Sequence, residues 1–507
     1  MSINRRDFLK ASAGLAALPL TGCIARPMKV GSPYASAIPA DDPGVIVNDV
    51  HSQLNATRVS CIVKPRTVEE LRSSILEASL SGRSVSNAGG RHTMGGQQFC
   101  RDGVLIDMRA LDGILTLDDE RGVMTVEGGI QWPKIVGYLN RDQEGRARQW
   151  GIYQKQTGAD RLSIAGALSC NCHGRGLNLR PIVDQVQAFD LLGPDGEVRT
   201  CSRSQNTELF RLAIGGYGLF GVITRVELRL RPRVKVRRVV VIGETPTIAE
   251  QFEERIRDGY LYGDYQFATA SERESFLWRG VFSCYQPVPA DTPLTEHPTR
   301  FNPDDWSRLT LYSHTHKKLA FDTYTRRYLA TSGQIYWADW QLSAAYVDNY
   351  HRDLDRATHA KAPGTEMITE IYVRRDELAS FMHDARATLR ERRANVIYGT
   401  VRLIERDEET FLAWARDRYA CVIFNLHIEH TPDAIERAAA TFRDLIDLGI
   451  AHGGSYYLTY HRWARRDQVE RCYPQMQAFL AHKRRHDPDE LFQSDWYRHY
   501  RGMFSKA

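Results

Sequence analysis

Between residues 87 and 221 the chain carries three glycine-rich segments, each beside a short strand-like run: NAGGRHTMGGQ (87–97), SIAGALSCNCHGRG (163–176) and GGYGLFG (215–221). Glycine lets the backbone take φ > 0 and come close to a bulky ligand. Turns with converging N–H groups can hold a pyrophosphate without a helix dipole. One such loop is ordinary; three in succession point to a long ligand threaded through a cleft. GYGLFG (216–221) also satisfies G-x-G-x-x-G, but that pattern works only with a strand before the glycines and a helix after them. Here a helix pattern over 206–214 precedes and a strand pattern over 221–230 follows. A Rossmann dinucleotide site is therefore not expected, and no G-x-x-x-x-G-K-[ST] loop occurs.

The flanking sequence predicts an α+β unit over 50–235. Pro65 ends a first strand, Thr67 caps a helix with Leu71, Ile75 and Leu76 on its apolar stripe, and Gly82 closes it. Further strands are expected at 104–108 and 122–129, a short helix begins near Pro133, and PDGE turns a hairpin over 186–202. From 236 to 465 the texture changes to aromatic-rich runs, a long helical pattern at 375–394 and β-rich stretches at 395–405 and 421–430. That alternation predicts a second domain, a sheet covered by helices on one face. Residues 466–507 form a C-terminal segment.

The N-terminus reads as an export signal. Arg5-Arg6 is followed by Phe8-Leu9-Lys10 and an apolar stretch, Ala11 to Leu20, too short to span a bilayer. The Arg pair resembles a twin-arginine signal over 1–22, and LTGC (20–23) resembles a lipobox with Cys23 as the lipidated residue, followed by a linker over 23–49. Export in the folded state suits a protein loaded with a cofactor in the cytoplasm. Lys and Arg number 67 against 62 acidic residues and are spread along the chain, so nucleic-acid binding is not expected. CNCH (170–173) is the one cysteine cluster; with no second ligand pair at zinc-site spacing, no metal site is expected.

Together, PRTVEEL, GGRHTMGG, LSIAGALSCNCHGRG and NTELFRLAIGGYGLFGVITRVEL resemble, in order and spacing over 50–235, the two-subdomain PCMH-type FAD-binding domain of the vanillyl-alcohol oxidase superfamily. GGRHTMGGQ looks like the loop of cytokinin dehydrogenases and of aldonolactone and alditol oxidases, where histidine bonds the flavin 8α-carbon. The resemblance makes His92 that residue, makes the flavin a stronger oxidant, and places Asn87, Ala88, Gly89, Gly90, Arg91, Thr93 and Gln97 around it. SIAGALS…HG is similar to a stretch of the sugar-acid lactone oxidases, which carries Ser163, Ala165, Gly166, Ser169, His173 and Gly174 to the flavin and its phosphates. Val222 and Ile223 fall where that family contacts adenine or ribose. Some relatives add a cysteine link before this segment; TGADRL (157–162) has none. Cytokinin dehydrogenases place a catalytic aspartate where Gly158 stands, and Asp160 is out of register.

On the substrate side the resemblance is thinner. Arg402 in GTVRLIE and the stretch HRWAR (461–465) occupy places comparable to an inner-strand arginine and an HWGK-like stretch, with Arg462 and Arg465 where that pattern has His and Lys. Arginine can hold a carboxylate or lactone oxygen with two parallel N–H bonds. A base must take the hydroxyl proton; His461 is the first candidate, then Tyr460, Tyr457 and Glu370. The expectation is an exported, lipid-anchored flavoprotein with covalent FAD that oxidises a CH–OH carbon of a sugar-like, lactone or other hydroxylated molecule. Oxygen is the expected acceptor. The alternatives are a same-fold dehydrogenase serving a quinone, a cytochrome or another membrane acceptor, and a non-catalytic flavin-binding envelope protein.

Overall fold

The computed structural model describes residues 44–342 and 350–505; the export signal, Cys23 and most of the linker lie outside them. Three strands, Cys61–Val63, Val104–Asp107 and Val85–Ala88, make a parallel sheet in that spatial order. The helix Val68–Leu80 crosses from Cys61–Val63 to Val85–Ala88, the two outer strands. It starts where the Thr67 side chain accepts the Glu70 N–H, with Glu69 and Glu70 in its first turn. Leu71, Ile75 and Ala78 bury its apolar stripe against Val85, Val104 and Ile106.

A five-stranded antiparallel sheet follows, in the order Val198–Ser202, Val186–Leu192, Val222–Arg229, Val123–Glu127, Ile114–Asp118. The helix Thr207–Ala213 precedes the last glycine segment and a strand leaves it, the reversed order read from the sequence. Gly215 and Gly218 there have φ of +75° and +74°, a left-handed backbone that side chains rarely adopt. The middle segment differs from the expectation of a plain loop. It opens with a short helix, Ile164–Ser169, whose first turn is capped by the Ser163 hydroxyl on the Gly166 N–H.

Apart from two short two-stranded pairs, Val45–Val47 with Thr57–Val59 and Trp150–Gly151 with Arg231–Pro232, the remaining strands build one eight-stranded sheet. Its order is Ile335–Trp337, Lys235–Glu244, Arg279–Val288, Tyr262–Phe267, Val396–Ile404, Tyr419–Glu429, Gly364–Arg374, Ser455–Tyr456. Helices cover both faces rather than one. Successive strand residues point to opposite sides: Phe282 meets Phe252 of the helix Thr245–Arg257 at 4.7 Å between ring centroids. Its neighbour Val281 packs with Val240 and with Tyr324 of the helix Lys317–Leu329.

The C-terminal segment runs back to the parallel sheet, where Val85 bridges Phe492 and its N–H donates to the Leu491 carbonyl. Asp487 aims that turn. Its buried carboxylate accepts the N–H groups of Leu491 and Phe492 at 2.9 and 2.8 Å and pairs with the buried Lys483 ammonium. Removing one partner of a buried pair leaves an uncompensated charge. Asp487→Ala is therefore predicted to lower stability by about 3–5 kcal/mol, read as a shift in the urea midpoint. The double variant Lys483→Met/Asp487→Leu should recover part of that loss. An unshifted midpoint for the single variant would show that the pair does not hold the turn.

Candidate active site

The three glycine segments meet along one cleft of about 1140 Å³, its mouth included. Their approach leaves no room for side chains. A Cβ on Gly89 would lie 2.0 Å from the Ser163 hydroxyl, and one on Gly90 would lie 2.2 Å from the Arg161 carbonyl oxygen. The cleft is lined by residues 87–94, 97 and 98, by Ser163, Ala165, Gly166 and Ser169, by Tyr217 and Gly218, and by Val222 and Ile223. From the eight-stranded sheet and the loop after its last strand come Ile368, Tyr457, Thr459 and Tyr460. Gln97 ties the two walls together, its amide donating to the carbonyls of Leu458 and Thr459 at 3.0 and 3.1 Å.

His92 stands in this cleft beside a second histidine that sequence reasoning missed. The Nδ1 of His92 lies 2.8 Å from the Nε2 of His51, so one nitrogen donates and the other accepts. Desolvation, then the His51 ring, pushes the His92 pKa down to about 3. The imidazole is thus neutral. Arg91 sits at φ +60° with its guanidinium 4.0 Å from the buried Asp107. His51 is a lone histidine 41 positions from His92, and no spacing rule connects them.

Four expected residues gather behind the cleft. Glu370 lies two positions along its strand from Ile368, on the same face. Its carboxylate is 2.6 Å from the Nε2 of His173, and both side chains are buried. His173 Nδ1 faces the Gly174 carbonyl at 3.1 Å. A carbonyl only accepts, so Nδ1 carries a proton and the short contact to Glu370 holds a second one. Tyr460 lines the cleft, and burial followed by the Glu370 charge holds its hydroxyl protonated well above the usual phenol range. Arg402 is 5% exposed, and its Nε and Nη1 have no hydrogen-bond partner among the described residues. Buried unpaired donors are costly unless something accepts from them.

Other expected residues stand elsewhere. His461 is core: its ring is 1% exposed, 3.1 Å from the Thr369 hydroxyl, and stacked near Tyr456 and Trp463. It does not line the cleft, and its proximity to Tyr460 is in sequence only. Arg465 lies on the surface in ion pairs with Asp447 and Asp467. His173 and Gly174 sit behind the cleft wall rather than along it.

Residues 59–202 match the FAD binding domain family, and residues 2–22 match the TAT (twin-arginine translocation) pathway signal sequence. The chain is 24% identical to L-gulono-1,4-lactone dehydrogenase of Mycobacterium tuberculosis, covering 87% of this chain and 96% of that protein. It is 26% identical to L-gulonolactone oxidase of Bos taurus over 42% of this chain and 44% of the oxidase. It is 30% identical to cytokinin dehydrogenase 1 of Arabidopsis thaliana over 34% of this chain and 30% of that enzyme.

Burial pushes the His461 pKa down to about 3 as well. Below the ordinary imidazole range, then, an unfolded chain takes up protons that folded His92 and His461 refuse. Stability is predicted to fall as pH drops from 6.5 toward 3, each ring contributing up to about 1.4 kcal/mol per pH unit. His461→Leu should flatten the dependence of the urea midpoint on pH between neutral and mildly acidic buffer. An unaltered slope would mean that His461 protonates in the folded state.

Proposed function

Because the chain belongs to the superfamily of FAD-linked oxidoreductases, we propose that it oxidises a CH–OH carbon of a lactone, sugar-like or similarly hydroxylated molecule. The observation that carries this reading is one cleft that joins the His92 loop to a wall backed by Glu370, His173 and Arg402. FAD, when bound, takes the electrons that leave the substrate carbon. The residues at hand fit it: three glycine segments packed too closely for side chains, and a neutral imidazole at His92 suited to a covalent 8α link. The residues that would hold it are those of 87–93 with Gln97, Ser163, Ala165, Gly166 and Ser169, and Val222 and Ile223.

On the substrate side, Arg402 offers unpaired N–H groups to a substrate oxygen. Glu370, held by His173, is the base for the hydroxyl proton, and the Tyr460 hydroxyl donates at the cleft wall. In this reading 50–235 hold the cofactor, 236–465 the substrate, and 466–507 fold back as a brace. The signal sequence exports the folded chain, and Cys23 takes a lipid that keeps it at the periplasmic face of the membrane. Oxygen is the first acceptor proposed. The relative named a dehydrogenase, covered over nearly its whole length, favours a quinone or cytochrome as the second.

His92→Ala is predicted to lose in-gel flavin fluorescence after acid denaturation, while the wild type stays fluorescent. Flavin released free from the wild type would refute the covalent link. Against a panel of lactones, sugars and alcohols that includes L-gulono-1,4-lactone, wild-type flavin should bleach anaerobically. Glu370→Gln should slow that bleaching by about 10²–10⁴-fold with flavin content unchanged. A yellow protein that no panel member bleaches would support a non-catalytic flavin-binding role. Mixing the bleached enzyme with air then separates the acceptors: rapid recovery marks an oxidase, slow recovery a dehydrogenase.

A further inference from the structure

A second cluster lies on the same strand as Glu370, closer to its start, and the flavin reading does not use it. Glu366 is 5% exposed at its side chain and faces three imidazoles. Its Oε1 is 2.8 Å from His314 Nε2 and 3.2 Å from His427 Nδ1, and its Oε2 is 2.9 Å from His351 Nδ1. The Tyr350 hydroxyl also donates to Oε2. His314 and His351 are as buried as Glu366, and His427 is 18% exposed.

Donor counting at His314 decides what this cluster is. Its Nδ1 lies 2.8 Å from the Thr310 carbonyl. A carbonyl can only accept, so Nδ1 carries the proton and Nε2 of the neutral ring presents a lone pair. That lone pair points at a carboxylate oxygen 2.8 Å away. Two acceptors do not approach so closely unless a proton or a metal ion stands between them; His173 meets its carboxylate alone and a proton suffices there, whereas here three imidazoles converge on one carboxylate. Histidine metal ligands characteristically donate their other N–H to a carbonyl in this manner, which fixes the tautomer and aims the free nitrogen at the ion. The ligand atoms of His314, Glu366 and His427 all lie within 4.8 Å of one another. In a tetrahedral site with metal–nitrogen bonds near 2.0 Å, neighbouring ligand atoms are about 3.3 Å apart, close to the 2.8–3.2 Å found here.

We propose that His314, Glu366 and His427 bind one divalent first-row transition ion of the zinc class, with His351 held beside them on the other oxygen of the Glu366 carboxylate. Imidazoles with one carboxylate suit such an ion better than magnesium or calcium, which take oxygen donors. The ion would clasp the helix Pro303–Thr315 to the neighbouring strands Gly364–Arg374 and Tyr419–Glu429. Glu366 stands two residues, about 7 Å along the strand, from Ile368 in the cleft wall. The site thus stiffens the cleft wall nearest the substrate-side residues. It needs no flavin and stands or falls independently of the oxidase reading. No metal motif appears in the sequence because the three ligands come from three separate segments.

The test is to strip the flavin-loaded chain with a chelator, reload it with zinc, remove free ion and measure zinc per chain by mass spectrometry. One zinc per chain is expected for the wild type, lost in His314→Ala and in Glu366→Gln. It should be kept in His482→Ala, which alters a separate surface group of Glu208, His482 and His486. Flavin content of each variant reports folding. Should a variant fail to fold, cobalt loaded into the wild type should give tetrahedral d–d bands to the red of the flavin that zinc abolishes. A wild type without stoichiometric zinc, a His314→Ala chain that keeps it, or loaded cobalt without those bands would overturn the proposal.

Discussion

Gly89 and Ser163 meet where no side chain could stand between them, and the cleft depends on that approach. The first segment follows a strand of the parallel sheet, the second opens with the helix Ile164–Ser169, and the third leads into a strand of the five-stranded sheet, so their contact seats the parallel sheet against the five-stranded one. Gly90 repeats the arrangement on the Arg161 carbonyl, and Gly218 lies against Asn87 with a left-handed backbone. Backbone packed this closely exposes N–H groups and little side-chain bulk, which is what a long phosphate-bearing ligand requires. Within the first glycine segment the His92 ring stands in this setting, held neutral beside His51.

The opposite wall follows from strand alternation. On Gly364–Arg374, residues 366, 368, 370 and 372 face inward, while Ile371 on the other face packs into the core. That face is unusually polar for an interior, and polar groups there are tolerated only when paired. Glu370 is paired with His173 from the cofactor side, so the two halves of the chain are joined by the groups proposed for the chemistry. Arg402, on the strand Val396–Ile404 of the same sheet, is a buried guanidinium with two donor nitrogens unpartnered among the described residues.

Much of this was legible in the sequence. Glycine spacing, the reversed order around GYGLFG, the capped helix after Thr67 and the β-rich runs at 395–405 and 421–430, which the structure gives as Val396–Ile404 and Tyr419–Glu429, are local features, set by dihedral freedom and by periodicity. Adjacency failed as a guide at His461. It follows Tyr460, yet the turn sends the tyrosine into the cleft and the histidine into an aromatic stack. Burial is decided by what packs against a residue, and no neighbour in sequence reveals that. The helix Ile164–Ser169 was hidden too, because SIAGALS carries small residues that read equally as a loop until the Ser163 cap is in place.

By itself the sequence determined that three glycine-rich segments sit beside short strands, that a histidine stands among them and that an export signal precedes the fold. These rest on residue identity, and identity fixes backbone freedom, nucleophilicity and a short apolar signal. Only the tertiary structure decided which charged and titratable groups face one another. His51 reaches His92, His173 reaches Glu370, and three histidines from separate segments reach Glu366, because strand register and helix docking bring together residues tens to hundreds of positions apart. Electrostatic pairing acts over a few ångströms of space, and a linear chain does not record those distances.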